Sequence, residues 1–456
     1  MSDKLFRSVP LDEPPLPAQY VEQLVAAGRA SVRRRRAAGA AAAVLVITLV
    51  AGGFGLLRPG PAPVPAEPGR SPSLPERIAP YSSLTSTVSR SPAGPAVMLY
   101  RFGSGELFNQ WQPLVLGADR DTYRQLDAAE GAREIRPWLL SPDGTTAVVT
   151  DDLEAVDALT LIDLRTGGRR AVPLPAPTGA VPLAFSPDGR TLAYSAVPMP
   201  MSDPHADVAS ESRRTGVLVL VDLPTGRHST LGVTPVYAAS FAPDGQHVAV
   251  QTGPSVHIVE RTGREVRTVD LPREHVLTIN AAWSPDGRLL AATGSAVVSS
   301  IGPLTNYQRR IVFVDATGTG GPAPQPIEAE EMLGWRAADR VLARVAAGDG
   351  PGELRDLPVT GGPGTVLSRF DAGSSCEYGM EPCQAYEIRM ATGLLPSLVV
   401  RPADPDRGPW PGWFTLTVVV AALVLVTVVF LVYGIRRRRR PARPVPATPR
   451  DPDDVP

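Results

Sequence analysis

The chain has 456 residues, a net charge of −1, 42 glycines, 50 prolines and two cysteines. That near-neutral balance excludes the broad basic field of a nucleic-acid binder. Glycine and proline at this density point to strands and turns, with little room for long soluble helices.

Residues 1–36 are polar and proline-rich, with one short helical stretch, Ala18–Val32, in which Tyr20, Val21, Leu24 and Val25 can share a face. This reads as a cytoplasmic segment lying on the lipid surface or docking a cytoplasmic partner. Residues 37–57 contain an apolar run, Gly39–Leu57, preceded by Arg33–Arg36. Its length fits a transmembrane helix, and a cleaved signal sequence is the alternative. Residues 58–83 form a proline-rich linker, expected to act as an extended spacer.

From residue 84 to residue 400 one turn recurs. It reads S-P-D-G at Ser141–Gly144, Ser186–Gly189 and Ser284–Gly287, and A-P-D-G at Ala242–Gly245. Proline sets φ for the second residue of a type I turn, and glycine suits the residue that closes it. Each copy therefore predicts a hairpin, flanked by apolar strands. A second turn carrying Thr-Gly follows at Thr166, Thr225, Thr262, Thr317 and Thr360. Two degenerate units, Val88–Tyr100 and Gly334–Ala343, extend the series to six units of about four strands each. A hairpin over Tyr386–Val399 is expected either to complete a seventh or to strap the ring shut. Repetition of hairpin units at this spacing predicts an all-β, six- or seven-bladed β-propeller.

The S-P-D-G aspartates Asp143, Asp188, Asp244 and Asp286 are read as turn caps, because Asp side chains bond their own backbone two residues on. Trp138, Trp283 and Trp335 recur near the strand before the turn and are read as packing between units. The five histidines, His205, His228, His247, His257 and His275, show no metal-ligand spacing, although His247 and His257 lie on successive strands. There is no G-x-S-x-G elbow and no phosphate-cradling glycine loop. The expectation is a non-enzyme without cofactor or metal.

Loop length is the feature that discriminates. The loop after the second strand is short in the fourth unit (Thr252–Ser255) and long in the second (Asp151–Ala158), third (Val197–Thr215) and fifth (about Ser295–Arg310). Equivalent loops emerge on one face, and binding residues concentrate in such loops. Asp203, His205, Asp207, Arg213, Arg214, Asn306, Tyr307, Arg309 and Arg310 are the candidate contact residues. On this reading, cutting Pro198–Arg214 to a short turn should leave the propeller folded.

Cys376 and Cys383 lie in C-E-Y-G-M-E-P-C and would pair as a local disulfide in an oxidising compartment. Residues 401–412 form a second linker. Residues 413–435 carry no charge and are followed by Arg436–Arg440 within a basic, proline-rich tail, 436–456. Arginine clusters stay on the cytoplasmic side, so both termini are placed inside and residues 58–412 outside the plasma membrane. Trp410, Trp413 and Tyr433 sit where interfacial aromatic anchors belong.

An aromatic-S-P-D-G followed by an apolar strand and a D-L-x-T-G turn resembles the repeat of TolB-like and WD-like bacterial propellers, over roughly residues 84–400. The alanine- and proline-rich, almost lysine-free composition resembles that of actinobacterial proteins. The resemblance implies a protein- or ligand-binding scaffold at the cell envelope, partnered by an envelope protein or another extracytoplasmic ligand and not by nucleic acid. The alternative is a transmembrane signalling protein with a propeller sensor and a short cytoplasmic effector segment, in the manner of membrane-bound anti-sigma factors. The zinc motif common in that family is missing, since no His or Cys precedes residue 205.

Overall fold

The computed structural model describes residues 71–80, 82–102, 112–129, 137–151, 153–201, 207–294, 310–319, 321–347, 350–371 and 385–438. Residues 1–70, where the cytoplasmic segment and the first hydrophobic run are expected, and the tail beyond 438 lie outside the described residues. So do Cys376 and Cys383. The described residues fall into two compact units, one spanning 59–411 and the other containing the segment from 412 onward.

The 59–411 unit is a β-propeller arrangement of small antiparallel sheets. The fourth sheet shows the pattern without interruption: Ala238–Phe241, His247–Thr252, Ser255–Glu260 and Glu265–Asp270 pair in sequence order. The fifth (His275–Leu277, Leu289–Gly294, Arg310–Asp315, Ile327–Glu328) repeats it, as does the sixth (Glu331–Ala337, Arg340–Ala347, Gly350–Pro358, Thr365–Phe370). The second and third share one strand of 17 residues, Arg169–Phe185. Its first half pairs with Val156–Asp163 and its second half with Thr191–Val197, so the outer strand of one unit continues as the inner strand of the next.

The repeated turn forms as the residue types require. Each turn glycine adopts a left-handed φ: +71° at Gly144, +69° at Gly189, +65° at Gly245 and +70° at Gly287. The aspartates cap their own turns. Asp188 Oδ1 accepts the Ser186 hydroxyl at 2.5 Å and the Arg190 amide at 3.0 Å, and Asp286 Oδ1 accepts from Ser284 and Arg288 in the same way.

The tryptophans tie one unit to the one before it. Trp138 Nε1 donates to the Glu387 carbonyl at 3.2 Å, Trp283 Nε1 to Ser240 at 3.1 Å and Trp335 Nε1 to Ala282 at 3.3 Å. Trp138 and Trp335 are buried, as core packing demands, whereas Trp283 is only half-buried. Asn280 reaches further. Its side-chain oxygen accepts the Phe185 amide at 2.8 Å and its amide donates to the Leu140 carbonyl at 3.5 Å, so one residue of the fifth unit bonds to the second and the third.

Three expectations are corrected by the fold. First, Tyr386–Val399 is not a hairpin, although it does strap the ring shut, one of the two roles expected of it. Ala385–Met390 is the inner strand of the first sheet, antiparallel to Ala96–Phe102, followed by Gln112–Gly117 and Tyr123–Gln125. A 3-10 helix, Thr392–Ser397, follows it. The first repeat lacks an inner strand of its own, and the C-terminal end of the domain supplies it.

Secondly, the described part of the first linker is not a spacer. Ser73–Pro75 pairs in parallel with Val399–Arg401, and Arg77–Ile78 pairs in parallel with the outer strand of the sixth sheet. Leu74 and Ile78 are fully buried with Tyr100, Tyr123 and Leu395. Thirdly, the second linker is equally knitted in. The Asp404 amide donates to Asp121 Oδ2 at 2.7 Å, the Tyr123 amide to the Asp406 carbonyl at 2.8 Å, and Arg407 Nη2 to the Pro80 carbonyl at 2.7 Å. Proline-rich composition foretells extension, but an extended chain beside an open sheet edge becomes a strand.

The other unit contains the helix Gly412–Arg438, of which 24 residues, Gly412–Ile435, are apolar. At 1.5 Å per residue they extend about 36 Å, enough to cross a hydrocarbon core of about 30 Å. Most of its side chains are exposed, with Trp413 and Tyr433 towards its two ends. Among the described residues this is the one helix long and apolar enough for a membrane.

Candidate functional site

In an antiparallel four-stranded unit, the turns between strands one and two and between three and four lie at one end of the sheet. The two-to-three loop and the connection to the next unit lie at the other. The S-P-D-G and Thr-Gly turns therefore share one face, and the long loops singled out from sequence share the opposite face.

On the loop face, Asp203, His205, Asn306, Tyr307 and Arg309 lie outside the described residues. The remaining four candidates serve local structure. Residues Val208–Thr215 form a helix whose N-cap is Asp207, its side chain accepting the Ser210 amide. Arg213 donates to the Ser210 hydroxyl at 3.1 Å, and Arg214 pairs with Glu211, whose side chain is buried. Val208 is fully buried in the core beside Val197 and Leu218, and the Ser212 hydroxyl meets the Ser195 hydroxyl at 2.6 Å. The third-unit loop therefore contributes to the core as well as joining strands. Arg310 opens a strand of the fifth unit, 3.8 Å from Glu328. The structure does not bring Arg310 to the third-unit group.

The described histidines are held separately. His228 lies 2.9 Å from the Pro173 carbonyl and His275 2.9 Å from that of Arg273. His257 bonds Glu265 at 3.0 Å and Thr252 at 2.9 Å. His247 pairs across the ladder with Glu260, and His257 with Val250, so the two do not form one ligand set.

The turn face carries an open cleft of about 450 Å³ between the fourth and fifth units. The turns Ala242–Asp244 and Pro285–Gly287 form its rim, with His247, Ile258, Val266, Arg267, Trp283 and Ala316 lining the rest. The fourth unit departs from the repeat here, with Ala242 where the others have serine. Without that hydroxyl, Asp244 Oδ1 accepts the Gln246 amide at 2.8 Å and the His247 amide at 3.2 Å, while Oδ2 lies 2.7 Å from His247 Nδ1. Burial pushes the Asp244 carboxyl up, but these bonds outweigh it and hold the group below the usual carboxylate range. Asp244 is an anion that orients an imidazole at the cleft wall.

Sequence reasoning ranked the four turn aspartates together and so passed over this cleft. The serine-to-alanine change in the fourth copy and the histidine three residues after Asp244 were the signals available. The half-exposed position of Trp283 was not readable, because it depends on how far two sheets splay.

The class of protein defined by these sheets is a β-propeller, and the assignment rests on the strand pairing itself. No family model matches the chain, and no curated protein sequence matches it. Among solved structures, the chain is similar to TolB from Acinetobacter baumannii, at 15% identity and a TM-score of 0.39 over 60% of this chain and 66% of that one. It therefore spans just under two thirds of the length of TolB. It is also similar to an oligogalacturonate lyase in complex with manganese (15% identity, TM-score 0.40, 65% of this chain and 79% of that one). A functionally unknown protein from Desulfotomaculum acetoxidans DSM 771 gives 14% identity and a TM-score of 0.37, over 62% and 82% of the two chains.

Proposed function

We propose that this protein is a membrane-anchored binding module, a six-unit propeller displayed outside the plasma membrane with both termini in the cytoplasm, and that it is not an enzyme. The observation that carries the reading is the helix Gly412–Arg438, with its uncharged, exposed 24-residue stretch. An apolar surface of that size in water is costly, and a bilayer removes the cost. The arginines at 33–36 and 436–440 supply the orientation, since such clusters remain on the cytoplasmic side. The second span, residues 37–57, belongs to the same proposal. The described binding surface is the cleft on the turn face, where orienting bonds, an aromatic side and an arginine converge.

The test uses the full chain and a version ending at Pro411. The full chain should stay in the membrane fraction after alkaline carbonate washing. Reporter fusions before Trp410 should read outside, and those after Arg440 inside. Release of the full chain by carbonate, or an outside reading after Arg440, overturns the anchoring or the orientation respectively. If the shortened chain also stays in the membrane, residues 37–57 are an anchor in their own right.

A further inference from the structure

Arg267 is aimed into the cleft by two separate devices. The first is a β-bulge: Glu265 pairs with Val259 and Arg267 with Ile258, leaving Val266 as the extra residue on the outer strand. A bulge re-aims side chains, and here consecutive residues, Val266 and Arg267, both line the cleft, Val266 being 46% exposed. The second is Gly318, at φ +64°, in the Thr-Gly turn of the fifth unit. A Cβ there would sit on the Arg267 guanidinium, so the absent side chain makes the space that the cation occupies.

The charged neighbours are already engaged. Asp244 is taken by two amides and His247, and Asp286 by the Ser284 hydroxyl and the Arg288 amide. Beyond its backbone pairing with Ile258, Arg267 has no side-chain hydrogen bond or ion pair with any described residue. It is a positioned cation in the same cleft as an indole and an exposed valine. The strand that bears it is the last in its sheet, so its outer edge has no partner strand among the described residues.

We propose that this cleft binds an extended acidic peptide segment of a protein partner, with Arg267 donating to a Glu or Asp carboxylate and a neighbouring apolar side chain packing on Trp283 and Val266. The inference deepens the binding-module reading and rests on it. The guanidinium matches a carboxylate in charge and in fork geometry. The free edge of Glu265–Asp270 can take main-chain bonds from an extended segment. A cleft of about 450 Å³ is in the range of a ligand pocket and holds a few side chains.

The experiment measures binding to the full chain in nanodiscs by biolayer interferometry. Three probes are compared: acetyl-Val-Thr-Glu-Val-Thr-amide, its Gln counterpart, and trigalacturonate as a carboxylate on a sugar. The Glu peptide should bind about tenfold or more tighter than the Gln peptide, the scale of a charge-assisted hydrogen bond. Arg267→Gln should abolish that preference. Gly318→Ala, which displaces the guanidinium without removing it, should weaken it.

Equal binding of the two peptides, no binding of either, or a Glu preference that survives Arg267→Gln would overturn the proposal. Trigalacturonate binding without peptide binding would overturn it in favour of an acidic glycan. Carbonate retention on the same preparation is read separately. Loss of retention with the Glu preference intact sinks the anchoring alone, and retention without the preference sinks the peptide site alone.

Discussion

At the junction of the first and sixth units, arginines, aspartates and tyrosines are locked into a clasp between the two ends of the domain. At the junction of the fourth and fifth units, an arginine, two aspartates and a tryptophan line an open cleft. In the clasp, Arg124 is almost fully buried and donates to the Ser91 carbonyl at 2.7 Å, the Tyr123 carbonyl at 2.7 Å and the Asp406 carbonyl at 2.9 Å, with its salt bridge to Asp406 at 3.1 Å. Arg407 lies over the Tyr123 ring at 5.8 Å. In the cleft, Arg267 has an aromatic neighbour and carboxylates close by but no described partner. Side-chain chemistry alone therefore does not mark a site. What separates the two is whether the fold has already satisfied the charge.

The largest test of that contrast removes the clasp. Replacing residues 399–408 by a Gly-Ser stretch of equal length deletes the strand Val399–Arg401 and the acceptors of Arg124, Tyr123 and Ser86. The expected loss is about 5 kcal/mol or more, comparable with the whole stability of an ordinary domain. Thermal unfolding of the full chain, followed by circular dichroism, should lose its cooperative transition. An unchanged midpoint would mean that the described linkers are dispensable to the fold.

A matched pair of substitutions sharpens the comparison. Arg124→Met should cost about 3 kcal/mol, because it strands buried carbonyls and breaks a partly buried pair. Arg267→Met should stay within about 0.5 kcal/mol, as expected for a surface group without partners. Denaturant titration distinguishes them, and equal losses would remove the distinction drawn between the two junctions.

Shortening residues 198–214 takes away the helix that inserts Val208 into the core. The cost should be about 2 kcal/mol, the value of burying one such side chain together with its supporting bonds. A midpoint identical to that of the intact chain would show that this loop only joins strands.

The smallest effect comes from the turns and depends on pH. The Ser186 hydroxyl holds the Asp188 carboxyl below the usual carboxylate range, outweighing desolvation, and the Arg190 amide adds to it. A carboxylate lowered in the folded state stabilises above its unfolded value of about 3.9, and that contribution disappears as pH falls through the folded value. Asp188→Asn should therefore lower the unfolding midpoint slightly at pH 6, and the difference should shrink as the pH falls below the usual carboxylate range. A difference that grows on acidification would have the wrong sign for this origin.

Much of the fold was legible because the turn chemistry repeats. Ser186, Pro187, Asp188 and Gly189 each have one conformational use in such a turn, and the repeating units follow from where these turns recur. The inter-unit role of Trp138 and Trp335 was legible for the same reason, since a large aromatic at one repeated position must be buried repeatedly. The site was less legible. Asp207 and Arg214 looked like contact residues because they are polar and lie in a long loop, yet they cap and brace a helix that periodicity over so few residues does not announce.

The repeated turns and the apolar span at 413–435 were readable from the chain alone, because each depends on neighbours within a few residues. Long-range packing is what makes Ala385–Met390 complete the first sheet, clasps Ser73–Ile78 to residues 399–408 and stands Arg267 over Gly318. These pairings join residues from 51 to nearly 330 positions apart. No local preference encodes such contacts. They are fixed by which sheet edges remain open once the ring has formed and by where a missing Cβ leaves room for a side chain.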